Sequence, residues 1–163
     1  MSAVLTEPLY HTELIDGVEI AKPWPEKLHA LIQSYLIALF RSRVPNSYQV
    51  LSELNVLCGA DRLAPDVTIA RRNARYVDGD LADPAVFAVE IMSPGQTLSH
   101  ILDKAERICR AGTPICWIIW PEWRQSWLLG RERFVEATDP LWIRLSEGEN
   151  IEIDLKEMSA ELD

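Results

Sequence analysis

The feature that most constrains the fold is a pair of apolar strands on either side of a helix. AVFAVEIM, residues 85–92, is apolar at both alternating sets of positions apart from Glu90, and ICWIIW, residues 115–120, is apolar throughout. Strands of this kind are typical of the centre of a covered sheet. Between them, TLSHILDKAERICRAG has apolar residues at helical spacing, and Gly112 can end the helix. This unit predicts two parallel strands joined by a right-handed crossover.

The other segments predict a mixed α/β domain that opens with a β-hairpin. Asp16-Gly17 separates HTELI from VEIAK and favours a two-residue turn. KPWPEKLHALIQSYLIALFRSRV has helical spacing and ends at Pro45-Asn46, and strand-like runs follow at 48–57 and 66–70. The runs SWLLGRERFVEA, LWIRL and IEIDL indicate hairpins and edge strands. With 163 residues and no linker or repeat, we expect one domain, residues 1–163, in which helices flank a mixed sheet.

Charge and cysteine content narrow the class of protein. The net charge of −9 weighs against a protein that coats nucleic acid non-specifically, but it is compatible with an enzyme that has a local basic groove. Three cysteines without metal-ligand spacing predict buried free thiols in a reducing compartment. No secretory signal and no apolar run of ~20 residues is visible, so we expect a cytoplasmic protein without a membrane anchor.

Glu90 is the most conspicuous candidate for a functional residue. A carboxylate on a buried strand requires compensation by a cation, by a metal ion or by a place at the open end of the strand. Asp66 begins the strand-like run that precedes it, and the two carboxylates on adjacent strands would provide the oxygen ligands that Mg²⁺ prefers. The alternative is a structural ion pair between Glu90 and a basic residue such as Arg72.

Three further side chains flank the apolar stripes of the two helices. Lys104 lies at the edge of the second stripe, where its ammonium could reach the end of the Glu90 strand or could remain solvated. His100 lies one turn earlier, and His29 flanks the stripe of the first helix. Each histidine, taken alone, is more typical of a surface or supporting residue than of a metal ligand. The sequence has no GxGxxG, HExxH, CxxC or Gly-x-Ser-x-Gly motif, which weighs against the chemistries of those motifs.

The ordered segments ELIDGVEI, the helix with His29, LAPDVTIA, AVEIMSP and DKAERICRAGTPICWII resemble the Uma-two family of endonucleases, within the PD-(D/E)xK nuclease superfamily. The resemblance covers about residues 10–155 and implies a restriction-endonuclease-like fold. The superfamily usually has its lysine two residues after the second acid, where this chain has Met92. In this family the lysine is on the following helix, where Lys104 matches. His100 departs from the aspartate that many members have at that position.

The resemblance implies a catalytic site and a substrate. Asp66, Glu90 and the backbone carbonyl of Ile91 would hold Mg²⁺, with Mn²⁺ as a substitute, and Lys104 would stabilise charge during hydrolysis of a DNA phosphodiester. A further acid from the N-terminal part is expected to be Glu19, with Glu53 as the second choice. Such enzymes often act as homodimers. The alternatives are a catalytically silent module of the same fold that binds nucleic acid or a protein partner, and a plain structural domain.

Overall fold

A computed structural model of the chain describes residues 11–146 and 148–163. It opens with the expected hairpin, in which β1 (Thr12–Ile15) pairs with β2 (Val18–Ala21). The turn residues Asp16 and Gly17 have φ values of 52° and 79°, as a two-residue hairpin turn requires. The prediction of an opening hairpin is therefore confirmed.

The first helix, α1, spans Lys27–Arg43 and buries its apolar stripe. Val44 is extended, with a φ of −70° and a ψ of 137°, because the residue before a proline is pushed out of the helical region. The predicted helix and its end before Pro45 are both confirmed. No helix in residues 11–146 and 148–163 combines the length and apolar character needed to cross a membrane.

The main sheet has six strands in the order β12-β11-β10-β9-β6-β3. Its central strands β9 and β10 are parallel and joined by helix α2, as predicted, whereas all other neighbours are antiparallel. All five residues of β9 are buried, which confirms that it lies within a covered sheet. The bounds are β3 (Tyr48–Ser52), β6 (Val67–Arg71), β9 (Phe87–Ile91), α2 (Leu98–Arg110), β10 (Ile115–Trp120), β11 (Gln125–Gly130) and β12 (Arg133–Glu136).

A second six-stranded sheet has the order β2-β1-β5-β4-β8-β7, and its remaining strands are β4 (Val56–Cys58), β5 (Asp61–Leu63), β7 (Tyr76–Val77) and β8 (Asp80–Leu81). The interpretation of 48–57 as one strand-like run is wrong. Glu53 has a φ of 55°, and this left-handed residue separates β3 in the main sheet from β4 in the second sheet.

The C-terminal part forms a hairpin and a short helix. The hairpin consists of β13 (Leu141–Ser146) and β14 (Glu149–Ile153). The expected strand IEIDL ends at Ile153, because the Asp154 side chain accepts hydrogen bonds from the backbone N–H groups of Lys156 and Glu157 and starts α3 (Leu155–Ala160). A 3₁₀ turn, Pro121–Trp123, follows β10.

The main sheet is covered on both faces. One face packs against α1, the β13–β14 hairpin and α3, and the other packs against α2 and the second sheet. Strand alternation decides which residues face α2. Val67 and Val89 belong to the α1 side, whereas Ala88 and Met92 belong to the α2 side, so Glu90 faces α2. The three cysteines are buried and free, as predicted.

Candidate active site

Asp66 and Glu90 lie next to each other at one end of the main sheet. The antiparallel register pairs Val67 with Val89. Asp66 comes one residue before Val67 and Glu90 one residue after Val89, so the two acids lie opposite each other. Directly opposed residues of neighbouring strands share a face of the sheet. The Ile91 N–H donates to Asp66 Oδ2 over 2.6 Å and ties the carboxylate to β9. Both carboxylates are about 1% exposed, yet they line the same cavity of about 290 Å³.

Lys104 reaches Glu90 from helix α2. Its Nζ lies 2.9 Å from Glu90 Oε1 and 3.0 Å from Oε2, and 2.6 Å from a carboxylate oxygen of Glu13. It also donates to the Ala64 carbonyl over 3.1 Å. The interpretation of Lys104 as a solvated lysine is therefore wrong. Glu90 does form an ion pair with a basic residue, but the partner is Lys104 and not Arg72, whose guanidinium donates to backbone carbonyls elsewhere.

The N-terminal acid that reaches the cluster is Glu13, which was not among the residues predicted from the sequence. It is 4% exposed on β1 and accepts hydrogen bonds from Lys104 and from the Ala64 N–H. Glu19 lies on the exposed strand β2 and does not line the cavity, so the structure does not bring it to the site. Alternation could not single out Glu13, because its strand face carries Ile15 while the opposite face carries the equally apolar Leu14.

Glu53 and a second lysine form the other side of the cluster. The Lys22 ammonium lies 2.5 Å from Glu53 Oε2, 2.7 Å from Asp66 Oδ1 and 2.8 Å from the Ala64 carbonyl oxygen. Gln33 donates to Glu53 Oε1 over 2.8 Å and fixes the carboxylate from α1. The structure thus brings in Glu53, one of the predicted candidates, and adds Lys22, which no sequence motif indicated.

The two candidate histidines differ in placement. His29 is 5% exposed, and its Nε2 lies 3.2 Å from Asp66 Oδ1, so it supports the carboxylate from the first turn of α1. His100 is exposed near the start of α2, where its backbone N–H donates to the Thr97 side chain, and it does not line the cavity. The structure therefore places His29 within the cluster and His100 outside it.

The pKa values of the two central carboxylates move in opposite directions. Burial alone would raise the pKa of Asp66, but the nearby Lys22 ammonium and His29 hold it well below its usual range. Burial raises the pKa of Glu90 to about 8. The Lys104 ammonium opposes this shift, and the neighbouring Asp66 and Glu13 carboxylates reinforce it. Burial would lower the pKa of Lys104, but Glu90 and Glu13 raise it. Such divergent carboxylates are frequent in catalytic sites.

The cluster carries net negative charge and oxygen ligand atoms, the kind that a divalent cation binds. Four carboxylates face two ammonium groups, which leaves two negative charges when Glu90 is ionised and one while Glu90 keeps its proton. The buried Glu90 Oε1 lies near Lys104 but forms no hydrogen bond within the described residues. In that same part of the chain no three His, Cys, Asp or Glu side chains form a ready metal site. Hard oxygen ligands suit Mg²⁺, with water completing its shell.

Comparisons with known proteins agree with the resemblance in the sequence. The chain is similar to a solved structure described as a putative nuclease belonging to DUF820 from Anabaena variabilis, with a TM-score of 0.81 and 22% identity over 98% of this chain and 95% of that one. This similarity shows a nuclease-type mixed α/β fold. No curated protein sequence matches the chain. The Uma2 profile, described as "Putative restriction endonuclease", matches residues 2–156, and the chain therefore belongs to the Uma2 family.

Proposed function

We propose that the protein is an endodeoxyribonuclease that requires Mg²⁺, or Mn²⁺ as a substitute, to hydrolyse DNA phosphodiester bonds. The observation that carries this proposal is the buried cluster of Asp66, Glu90 and Lys104 beside a cavity in a Uma2-family chain. The family supports nuclease chemistry, and the oxygen-rich cluster supports a hard cation.

Asp66, Glu90 and the backbone carbonyl of Ile91 are the proposed Mg²⁺ ligands, and all three residues line the cavity. A bound Mg²⁺ supplies Lewis acidity toward the scissile phosphate and lowers the pKa of a water molecule. The chain's own contribution is to hold these oxygens in place. The Ile91 N–H fixes Asp66, and Lys104 contacts both carboxylate oxygens of Glu90.

We assign Lys104 to the stabilisation of negative charge near the attacking water and the scissile phosphate. Its ammonium stays charged because the carboxylates around it raise its pKa, with Glu13 at 2.6 Å, and it lies 2.9 Å from Glu90 Oε1. A charge held in place before the reaction, away from bulk water, stabilises developing negative charge more strongly than a mobile one. In this role the Lys104 ammonium lies next to the Glu90 carboxylate, on the α2 side of the main sheet.

The experiment is cleavage of DNA by the purified protein with Mg²⁺ or Mn²⁺. Asp66→Asn and Glu90→Gln should each abolish cutting, and chelation should stop the wild type, because catalysis needs the metal ion. Glu19→Gln is the matched control: it neutralises an exposed carboxylate that does not line the cavity and should cut like the wild type. Cutting that survives chelation or either carboxylate variant would overturn the assignment.

Lysine variants provide a second arm of the same experiment. Lys104→Ala should lower turnover much more than Mg²⁺ affinity, because an ammonium is not a metal ligand. Lys104→Arg should restore little, since the planar guanidinium cannot replace a point charge between Glu90 and Glu13. A Lys104→Ala protein that cuts at the wild-type rate would contradict the role of Lys104.

A catalytically silent module that binds nucleic acid or a protein partner is the second candidate. The observations that favour it are the net charge of −9 and the fact that Lys22 and His29 already engage Asp66 Oδ1. Calorimetric titration with Mg²⁺ separates the two candidates, because a silent module can keep the fold without metal affinity.

For the nuclease we further propose a homodimer, since two sites are needed to cut both strands of a duplex at once. We also propose that the nuclease acts in the cytoplasm.

A further inference from the structure

Lys22 has the surroundings of a bound cation rather than of a surface lysine. Its side chain is 11% exposed, and three oxygens lie within 2.8 Å of Nζ: Glu53 Oε2, Asp66 Oδ1 and the Ala64 carbonyl. Two of these oxygens belong to carboxylates. Because an ammonium is a compact point charge, carboxylate oxygens bind it much as they bind a hard metal ion. Lys22 also lines the 290 Å³ cavity together with Asp66 and Glu90.

The two oxygens of Asp66 differ in how easily they can change partner. Oδ2 accepts a hydrogen bond from the Ile91 N–H, and that donor is fixed within β9. Oδ1 is engaged by side chains only, the Lys22 ammonium at 2.7 Å and His29 Nε2 at 3.2 Å. Oδ1 is thus the oxygen whose side-chain partners a metal ion can replace, and the Lys22 ammonium is the charged partner at that oxygen.

Of the two lysines, Lys22 lines the cavity and has the more exposed side chain, whereas Lys104 does not line the cavity. Lys22 follows β2 in a segment, residues 22–26, that has no regular structure, and its side chain is flexible. Lys104, by contrast, is 3% exposed on α2 between Glu90 and Glu13. Glu53 would keep its place after Lys22 withdraws, because Gln33 donates to its other oxygen.

We propose that Lys22 is a resident counter-cation that competes with the divalent metal ion for Asp66 Oδ1, and that Glu53 becomes a metal ligand when the ammonium withdraws. The inference rests on the proposed metal site and adds a determinant of its affinity. The ammonium offsets one of the two negative charges of Asp66 and Glu53 in the metal-free protein and thereby sets the Mg²⁺ concentration at which the site fills.

Calorimetric titration with Mg²⁺, without DNA, tests the competition. Lys22→Met should bind Mg²⁺ about tenfold more tightly than the wild type, because a charge-assisted contact no longer has to be broken. Lys27→Met is the matched control: it removes the same charge from an exposed lysine at the start of α1 that does not line this cavity. Adding Glu53→Gln to Lys22→Met should reverse part of the gain. Equal affinities of Lys22→Met, Lys27→Met and the wild type would overturn the inference.

A measurement on the wild type keeps the inference testable if Lys22→Met folds poorly. Acylation of lysines, read by mass spectrometry, should label Lys22 faster at saturating Mg²⁺ than in chelator, while labelling of Lys27 stays constant. Unchanged labelling of Lys22 in a protein that binds Mg²⁺ and cuts DNA would overturn this inference and leave the proposed function intact. Tighter Mg²⁺ binding by Lys22→Met in a chain that never cuts DNA would contradict the nuclease alone.

Discussion

At the scale of single residues, Glu90 makes the stability of the metal-free protein depend on pH. Its pKa is 4.5 in an ordinary setting and about 8 in the fold, because burial disfavours the charged form. Between these pH values the folded chain keeps a proton that the unfolded chain releases. The free energy of unfolding should therefore fall as the pH rises through this window.

Glu90→Gln should remove this dependence, because glutamine resembles the protonated acid and Lys104 keeps Glu13 as its partner. In chelator, the melting temperature of the variant relative to the wild type should rise as the pH increases from 4.5 toward 8. Thermal melts across this range measure the difference. A variant that loses stability relative to the wild type as the pH rises would instead show that an ionised Glu90 is needed to pair with Lys104.

The sequence allowed prediction of the site residues whose signal was local. Glu90 was conspicuous as an acid within an apolar strand, and Asp66 begins the neighbouring strand-like run. Glu13 and Lys22 were missed because their contacts arise only when the opening hairpin docks beside Ala64, more than 40 residues later. Glu19 was misplaced for the same reason, since the sequence does not reveal which strand of the hairpin faces inward.

At the scale of elements, Gly112 fixes the path from α2 into β10. It has a φ of 119°, and a Cβ atom there would lie 2.7 Å from the Pro84 ring. Gly112→Ala should therefore destabilise the protein by more than the ~1–2 kcal/mol that an unfavourable backbone conformation costs alone. Gly95→Ala is the matched control, because Gly95 also has a positive φ, 85°, but open space around its Cβ position. Denaturant unfolding of both variants measures the difference, and equal losses would show that the contact with Pro84 is unimportant.

The elements that were predicted well are those with enough residues to show a period. The helices α1 and α2 have 17 and 13 residues, and β10 coincides with the predicted run 115–120. The second sheet contains strands of two and three residues, too short for an alternation to be recognised. The division of 48–57 depends on the left-handed Glu53, and glutamate is not a residue that marks such a turn in a sequence, although Ser52 and Asn55 lie beside it.

At the scale of the whole molecule, the candidate site joins the two sheets. Asp66 directly precedes β6 and Glu90 lies in β9 of the main sheet, whereas Glu13 lies in the second sheet. Lys104 lies on α2, which packs on the same face of the main sheet as the second sheet. Loss of either sheet would separate these groups and expose buried charges. A ligand that binds the cluster should therefore stabilise the entire fold rather than one segment, because it binds the folded chain only.

Added Mg²⁺ should raise the melting temperature of the wild type, by an amount equivalent to ~2.7 kcal/mol when its concentration is a hundred times the dissociation constant. Asp66→Asn should respond much less, because it removes a charged ligand, whereas Glu19→Gln should respond like the wild type. Far-ultraviolet circular dichroism and tryptophan fluorescence should shift together, since the cluster connects both sheets. A wild type that melts at the same temperature with and without Mg²⁺ would contradict the metal site, and a shift seen by one probe only would contradict its placement across the fold.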